Sequence, residues 1–401
     1  MGRFLPRLLV LPTPDNAVHE LRRIGVDSYG IVEMAPKMRT ISILLSSLEC
    51  RQANILKQEM LSLGGDAAVA RGTVACSIDR TDCVLIGTVK QVTRLSRKLK
   101  AQPFGLSELT GELDSLLVHV ASSPSTWQTS RRSLSLQRPL IMGILNITPD
   151  SFSDNGLCLD PGLALEKAIQ MEAEGADIID VGGESTRPGA APVSPDEEMN
   201  RVIPVIERLA GTLKCAISVD TWKSSVADRA LLAGAEIIND ISGFNFDPQM
   251  AGLAASSGAG VVLMHTRGRP ETMQLNTGYD DLMAEIAAGL RTSLAKAREA
   301  GVLDSCIAVD PGIGFGKNTA GNLELIRRLA ELTSLGLPIL TGPSRKSFIG
   351  EVLGRTQTED RIFGTAAAVA LSVSHGVSIL RVHDVRAMRD VADMAHAVMQ
   401  S

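Results

Sequence analysis

Eight short apolar runs punctuate the last two-thirds of this 401-residue chain, and most are followed by a stretch with helical spacing. The runs are LIMGILNIT (140–148), DIIDVGGES (177–185), AISVDT (216–221), EIINDIS (236–242), GVVLMH (260–265), CIAVDPG (306–312), PILTGPS (338–344) and SILRVHDV (378–385). They are rich in Ile, Val and Leu and do not alternate with polar residues. That pattern predicts parallel strands covered on both faces. Helical patterns include 163–174, 196–209, 224–233, 280–300, 323–332 and 361–374, and a last one at 385–399 closes the chain. Eight successive βα units without a break predict closure into a (β/α)8 barrel of roughly 250 residues, rather than a doubly wound open sheet.

The chain is too long for one ordinary core, so a second domain is expected ahead of the barrel. Residues 40–48 read as a strand, and 53–63 as a helix that stops at Gly64-Gly65. Residues 74–78 and 83–87 read as short strands and 89–101 as a helix, which together make a small α/β domain over 1–120. The stretch 121–137, ASSPSTWQTSRRSLSLQ, is rich in Ser, Thr and Arg without an apolar period and reads as a linker. The barrel then occupies 138–401. Arg94, Arg97, Lys98 and Lys100 form either a solvated helix face or a basic docking face, and no chemistry attaches to this first domain.

Polar residues stand where the strands end. Asn146, Glu184 to Thr186, Asp220, Asn239, Asp240, His265, Asp310, Ser344 to Lys346, Arg381 and His383 all follow apolar runs. In a barrel those ends converge on one mouth, where active sites are built. Each taken singly could be a satisfied cap or turn residue; the repetition over eight strands points to a site. Asp220 and Asp310 are costly to bury unpaired, so a ligand or cation must compensate them. With Asn239 they offer acceptors to a flat, nitrogen-rich heterocycle. Lys346, Arg381, His383 and Arg187 offer donors to an anion, and Arg381 can fork onto phosphate oxygens. Asn146, with an uncharged amide oxygen, suits Mg2+ held mainly by substrate phosphates and water.

Other classes are excluded. The net charge of −5 argues against nucleic acid as the main partner. The six cysteines are scattered without CxxC pairing, which fits a reducing cytoplasm better than a zinc site or disulfide framework. No signal-peptide pattern is read at the start and no apolar segment reaches membrane-spanning length. There is no HExxH, and DPGIGFGK lacks the GxxxxGK[ST] spacing of a phosphate loop.

The motifs NITPDSFSDNG (146–156), GGESTRPG (182–189), SVDT (218–221), INDISG (238–243), MHTRG (264–268), DPGIGFGK (310–317), GPSRKSFIG (342–350) and RVHDV (381–385) occur in this order. Together they resemble the dihydropteroate synthase family of pterin-binding barrels, over about residues 138–401. The resemblance implies a transferase of folate biosynthesis that condenses 6-hydroxymethyl-7,8-dihydropterin diphosphate with p-aminobenzoate. It implies that Asp220, Asn239, Asp310 and Lys346 hold the pterin, and that Asn146, Arg381 and His383 hold the diphosphate, with Mg2+ bridging at Asn146. Two closing loops would supply Phe152, Asp154, Thr186, Arg187 and Pro188, which with Phe315, Lys346 and Ser347 build the p-aminobenzoate pocket. Sulfonamide sensitivity and a homodimer follow from the same resemblance. The family commonly has Asp-Gly-Gly where this chain has Asp154-Asn155-Gly156, a change Asn tolerates in a turn. The N-terminal extension is the larger departure; assembly, regulation or a second activity are its possible roles. A corrinoid-linked methyltransferase on the same barrel shares the acid and amide positions, but it has no use for a diphosphate clamp.

Overall fold

The computed structural model describes residues 7–11, 13–148, 160–186 and 189–400. The chain divides into two units, Met1–Ser122 and Ser123–Ser401. The first is built on a three-stranded antiparallel sheet of β1 (Thr40–Glu49), β2 (Asp66–Val69) and β3 (Arg80–Thr88), in the order β1-β3-β2. One face of the sheet carries Ile43, Ala67, Cys83 and Leu85, which pack with Leu56 and Met60 of helix Cys50–Ser62 and with Val92, Leu95 and Leu99 of helix Val89–Leu99. Two expectations change here. The strand expected at 74–78 lies instead at β2, where Ala67 and Val69 register against Leu85 and Cys83, while the residues after it turn with Cys76 at φ 47°. Helix Leu106–Ala121 was not apparent in the sequence. Lys98 of the basic cluster is an ion-pair partner of Glu59, in keeping with a solvated helix face.

The stretch 121–137 is not a linker. Residues 126–128 (β4, Thr126–Gln128) and 133–135 (β5, Ser133–Ser135) form a hairpin, and Trp127 is fully buried. The indole packs with Leu140, Met142, Ile178, Ala216, Ile237, Val262, Ala308, Leu340 and Ile379, the residues that fill the lower end of the barrel. Its Nε1–H donates to the carbonyl of Cys306 at 2.9 Å. Strands of three residues carry too little pattern to be read from composition. What orders them is the Trp side chain seated in a hole made by residues far along the chain.

Eight parallel strands follow: β6 (Leu140–Asn146), β7 (Ile178–Gly182), β8 (Ala216–Asp220), β9 (Ile237–Asp240), β10 (Gly260–Met264), β11 (Ile307–Asp310), β12 (Leu340–Thr341) and β13 (Ile379–Val382). Their order is β11-β10-β9-β8-β7-β6-β13-β12, and a parallel bridge between Val309 and Ile339 joins the two ends. The expected (β/α)8 barrel is thus present. Residues of one parity, such as Ile141, Ile179, Ile217, Val261 and Leu380, face the surrounding helices. The other parity faces inward. It runs from the apolar plug at the bottom through Asp180 and Ser218 to Asn146, Asp220, Asn239, Asp310 and Arg381 at the top. No helix among the described residues is long and apolar enough to cross a membrane.

Candidate active site

Strand parity turns Asp180, Ser218, Asn146, Asp220, Asn239, Asp310 and Arg381 into the upper half of the barrel, and hydrogen bonds then tie four of these seven together. Arg381 Nε donates to Asp180 Oδ2 and its Nη2 to Asp220 Oδ2, both at 2.6 Å, while Asn239 Nδ2 donates to Asp180 Oδ2 at 3.0 Å. Asp180 is completely buried and Asp220 nearly so. Two carboxylates therefore share one guanidinium, an arrangement that leaves an excess of one negative charge when both are ionised. Burial pushes the Asp220 carboxyl well above the usual range; Arg381 pulls it down and the Asp180 charge adds to the rise. The second oxygens, Asp180 Oδ1 and Asp220 Oδ1, are buried with no hydrogen-bond partner among the described residues. Orphaned buried acceptors of this kind need a donor from elsewhere.

Asn146 lies at the rim beside this cluster. A Cβ built on Gly182 would stand 3.5 Å from both Asn146 Oδ1 and Asp220 Cβ, so the missing side chain leaves open the space that the two residues face. On the far side, Asp310 Oδ1 accepts the Gly312 N–H at 2.7 Å. Gly312 has φ 72°, and a Cβ there would come within 2.0 Å of the His265 carbonyl, so only glycine fits that turn. Burial pushes Asp310 up to about 6, against the pull of the Gly312 N–H, Lys346 and Lys317. The loop after β11 wraps around the ammonium of Lys317, which donates to the carbonyls of Gly312 and Phe315 at 3.0 and 2.9 Å and meets His265 Nδ1 at 3.3 Å. His265, held neutral by burial beside Lys317 with its pKa down at about 3, is thus part of the loop's support.

Lys346 caps the helix Ser347–Leu353, and its Nζ lies 4.3 Å from the centroid of the Phe315 ring. Phe315 is buried among Trp222, Ile241, Met264 and Met273, which form an apolar wall on that side of the mouth. Ser344 Oγ accepts the His383 N–H at 3.2 Å and stands 2.9 Å from His383 Nδ1. A Ser344 hydroxyl that donates to Nδ1 leaves the proton of the neutral ring on Nε2. Burial, reinforced by Arg381 and Arg345, lowers His383 to about 3. The imidazole is a neutral donor. Arg345 pairs with Asp384 through two hydrogen bonds of 3.0 and 2.6 Å.

Thr186 and Ser347 are placed at the rim, the first partly buried and the second exposed. Phe152, Asp154, Arg187 and Pro188 lie outside the described residues. Among the described residues no group of three His, Cys, Asp or Glu side chains is placed to hold a metal ion.

Residues 142–383 match the pterin binding enzyme family. The dihydropteroate synthase of Bacillus subtilis is 49% identical over 263 residues, which is 66% of this chain and 90% of that protein. The chain belongs to the dihydropteroate synthase family. It is accordingly an enzyme of the transferase class. A dihydropteroate synthase from Xanthomonas albilineans, solved with 4-aminobenzoic acid, superposes with a TM-score of 0.66 at 42% identity, covering 70% of this chain and all of the other. A probable bifunctional folylpolyglutamate synthase/dihydropteroate synthase of Halobacterium salinarum is 41% identical over 375 residues. That match takes in 92% of this chain, and so extends well into the N-terminal unit, but only 44% of the larger protein.

Within this family frame two features escaped the sequence. Asp180 was overlooked, although it shares the inward parity of Gly182 two residues before a recognised motif; counting in twos back from the strand end would have found it. Arg381 was grouped with the anion donors. The structure also turns its Nε and Nη2 toward Asp180 and Asp220, which stand on strands across the barrel interior, a pairing the sequence does not suggest.

Proposed function

We propose that this chain condenses 6-hydroxymethyl-7,8-dihydropterin diphosphate with p-aminobenzoate, giving 7,8-dihydropteroate and diphosphate. The observation that carries the reading is the buried Asp180–Arg381–Asp220 cluster with its unpartnered carboxylate oxygens, opposite Asp310. The heterocycle lies between them. Asp310 accepts from its amino group and neighbouring N–H, Asp220 Oδ1 and the Asn239 amide take further ring atoms, and Lys346 over Phe315 bounds the ring. The leaving group is drawn to the rim, where the Nε2–H of His383 and the remaining Nη1 of Arg381 stabilise the charge that develops on it.

A magnesium ion fits at Asn146. A single uncharged oxygen facing the space opened by Gly182 is the donor chemistry of an ion that keeps its waters and phosphates. Asn146 would hold it, and when bound it supplies positive charge to the diphosphate oxygens. The substitution is dissociative. The bond from the exocyclic methylene to the diphosphate oxygen breaks first, its electrons leave with the oxygen, and the cation delocalises into the pterin ring. The acidic excess around Arg381 favours that cation. The neutral aromatic amine then forms the C–N bond and loses its proton, so no strong base is needed. Loop residues Phe152, Asp154, Thr186, Arg187 and Pro188, with Phe315 and Ser347, enclose p-aminobenzoate, and sulfonamides are expected to compete with it. A homodimer is the proposed assembly, supported by Val352, Leu353, Phe363 and Leu371 exposed on the helices Ser347–Leu353 and Ile362–Ser374. A reducing cytoplasm is the proposed compartment, in keeping with the free cysteines 50, 76, 83, 215 and 306.

The deciding experiment is an assay of the full chain with both substrates and Mg2+, and a second one with p-aminobenzoate withheld. Dihydropteroate is expected in the first, and slow release of diphosphate in the second. Release that depends strictly on the amine points to a concerted displacement instead.

Protonation of Asp310 gives a further expectation. Its pKa, raised from 3.8 to about 6, means that the free fold is favoured by protonation below 3.8 and loses that contribution as pH rises through 6. Pterin N–H donors require the carboxylate, so binding has the opposite slope. Affinity for a pterin, measured by calorimetry, should improve roughly tenfold from pH 5 to pH 7. Asp310→Asn should weaken binding by about 1–3 kcal/mol and flatten that dependence. An Asp310→Asn variant with parental affinity and slope removes Asp310 from the pterin.

A further inference from the structure

The segment between Glu184 and Val193 carries Thr186 and joins β7 to the helix Pro195–Ala210. Its first foot is fixed by the barrel. Arg201 Nη1 donates to the Gly183 carbonyl at 2.8 Å, and a Cβ on Gly183 would stand only 2.7 Å from Val202 Cγ1, so strand end and helix are in close contact. The second foot is held by side chains. The N–H of Val193 donates to Glu184 Oε1 at 2.8 Å and its carbonyl accepts from Lys223 Nζ at 2.7 Å. Lys223 also donates to Glu184 Oε2 at 2.6 Å and to Glu198 Oε2 at 2.5 Å. Glu184 and Glu198 are buried and Lys223 nearly so. The three N–H bonds of one ammonium thus close a ring through both feet and the following helix. Lys223 itself sits three residues past Asp220, at the start of the helix Ser224–Ala233, on a neighbouring rigid unit of the barrel.

We propose that Lys223 is a positioning residue for the aromatic amine: with Glu184 it ties the two feet of this segment together and so fixes where Thr186 stands at the rim. Lys223 touches neither substrate. Thr186 stands two residues from the Glu184 anchor, and a side chain held to within a fraction of an ångström binds better than one that must be ordered on binding. The inference rests on the reading that this segment serves p-aminobenzoate.

Three variants test it. Lys223→Met keeps the length of the side chain and removes the ammonium. Glu184→Gln is milder: the carboxylate uses one oxygen for Val193 and the other for Lys223, and an amide has only one oxygen to give. Thr186→Val probes the segment directly. The expected result is a KM for p-aminobenzoate raised about tenfold in Lys223→Met and by a smaller factor in Glu184→Gln, with the KM for the pterin diphosphate within about twofold of the parent. Lys223→Arg should restore most of the loss. Should Lys223→Met not fold, Glu184→Gln gives the same split of the two KM values. An unchanged KM for p-aminobenzoate, or equal rises in both KM values, overturns the proposal. If Thr186→Val raises the KM for p-aminobenzoate while both tie variants are silent, the tie alone is wrong. If Thr186→Val and both tie variants leave it unchanged, the assignment of this segment to p-aminobenzoate falls as well.

Discussion

Arg381→Met is expected to cost the barrel about 3–5 kcal/mol, because it strands Asp180 and Asp220 in the interior without their shared cation. Asp180 is completely buried, and its one remaining partner among the described residues is the Asn239 amide. The same change should lower kcat by at least about a hundredfold, since a donor to the developing charge is lost. The stability deficit has a direction with pH. Burial already holds Asp220 above the usual carboxylate range, and Arg381 is what limits the rise. Without the guanidinium the folded-state pKa climbs further, protonation relieves the charge over a wider window, and the deficit is larger at pH 8 than at pH 5. Adding Asp220→Asn to Arg381→Met should recover part of the stability and none of the activity. Urea denaturation of the three proteins at both pH values checks this. An Arg381→Met protein as stable as the parent at pH 8 means the ion cluster is not formed. Arg381→Lys is not expected to rescue, because one ammonium cannot reproduce the fork onto two carboxylates.

Trp127→Ala should destabilise the barrel by about 3–5 kcal/mol while leaving substrate affinity nearly untouched. The indole fills the lower end of the barrel, and removing it leaves a cavity lined by Leu140, Met142, Ile178 and their neighbours, and a Cys306 carbonyl without its donor. The experiment has a built-in reporter. The chain has two tryptophans, so in the variant Trp222, in the apolar wall beside Phe315, alone reports unfolding by fluorescence. A midpoint shift equivalent to less than about 1 kcal/mol shows that the hairpin is only resting on the barrel.

These two residues mark the boundary of what could be read from the chain. Eight apolar runs with polar ends determined the barrel, because a strand buried on both faces must be continuously apolar and a parallel strand needs a helix to return. Inward parity then placed Asn146, Asp220, Asn239, Asp310, Arg381 and His383 at one mouth. That much follows from local rules of period two. The rest is compensation through space. Residues 121–137 looked like a linker because three-residue strands carry no period; the hairpin exists only where Trp127 finds the hole left by nine residues of the barrel strands. Arg381 looked like an anion clamp because charge alone gives it no preferred partner. The closed barrel adds a second duty for two of its nitrogens, bringing Asp180 and Asp220, 201 and 161 residues away, within hydrogen-bonding distance in an interior that cannot hold them unpaired.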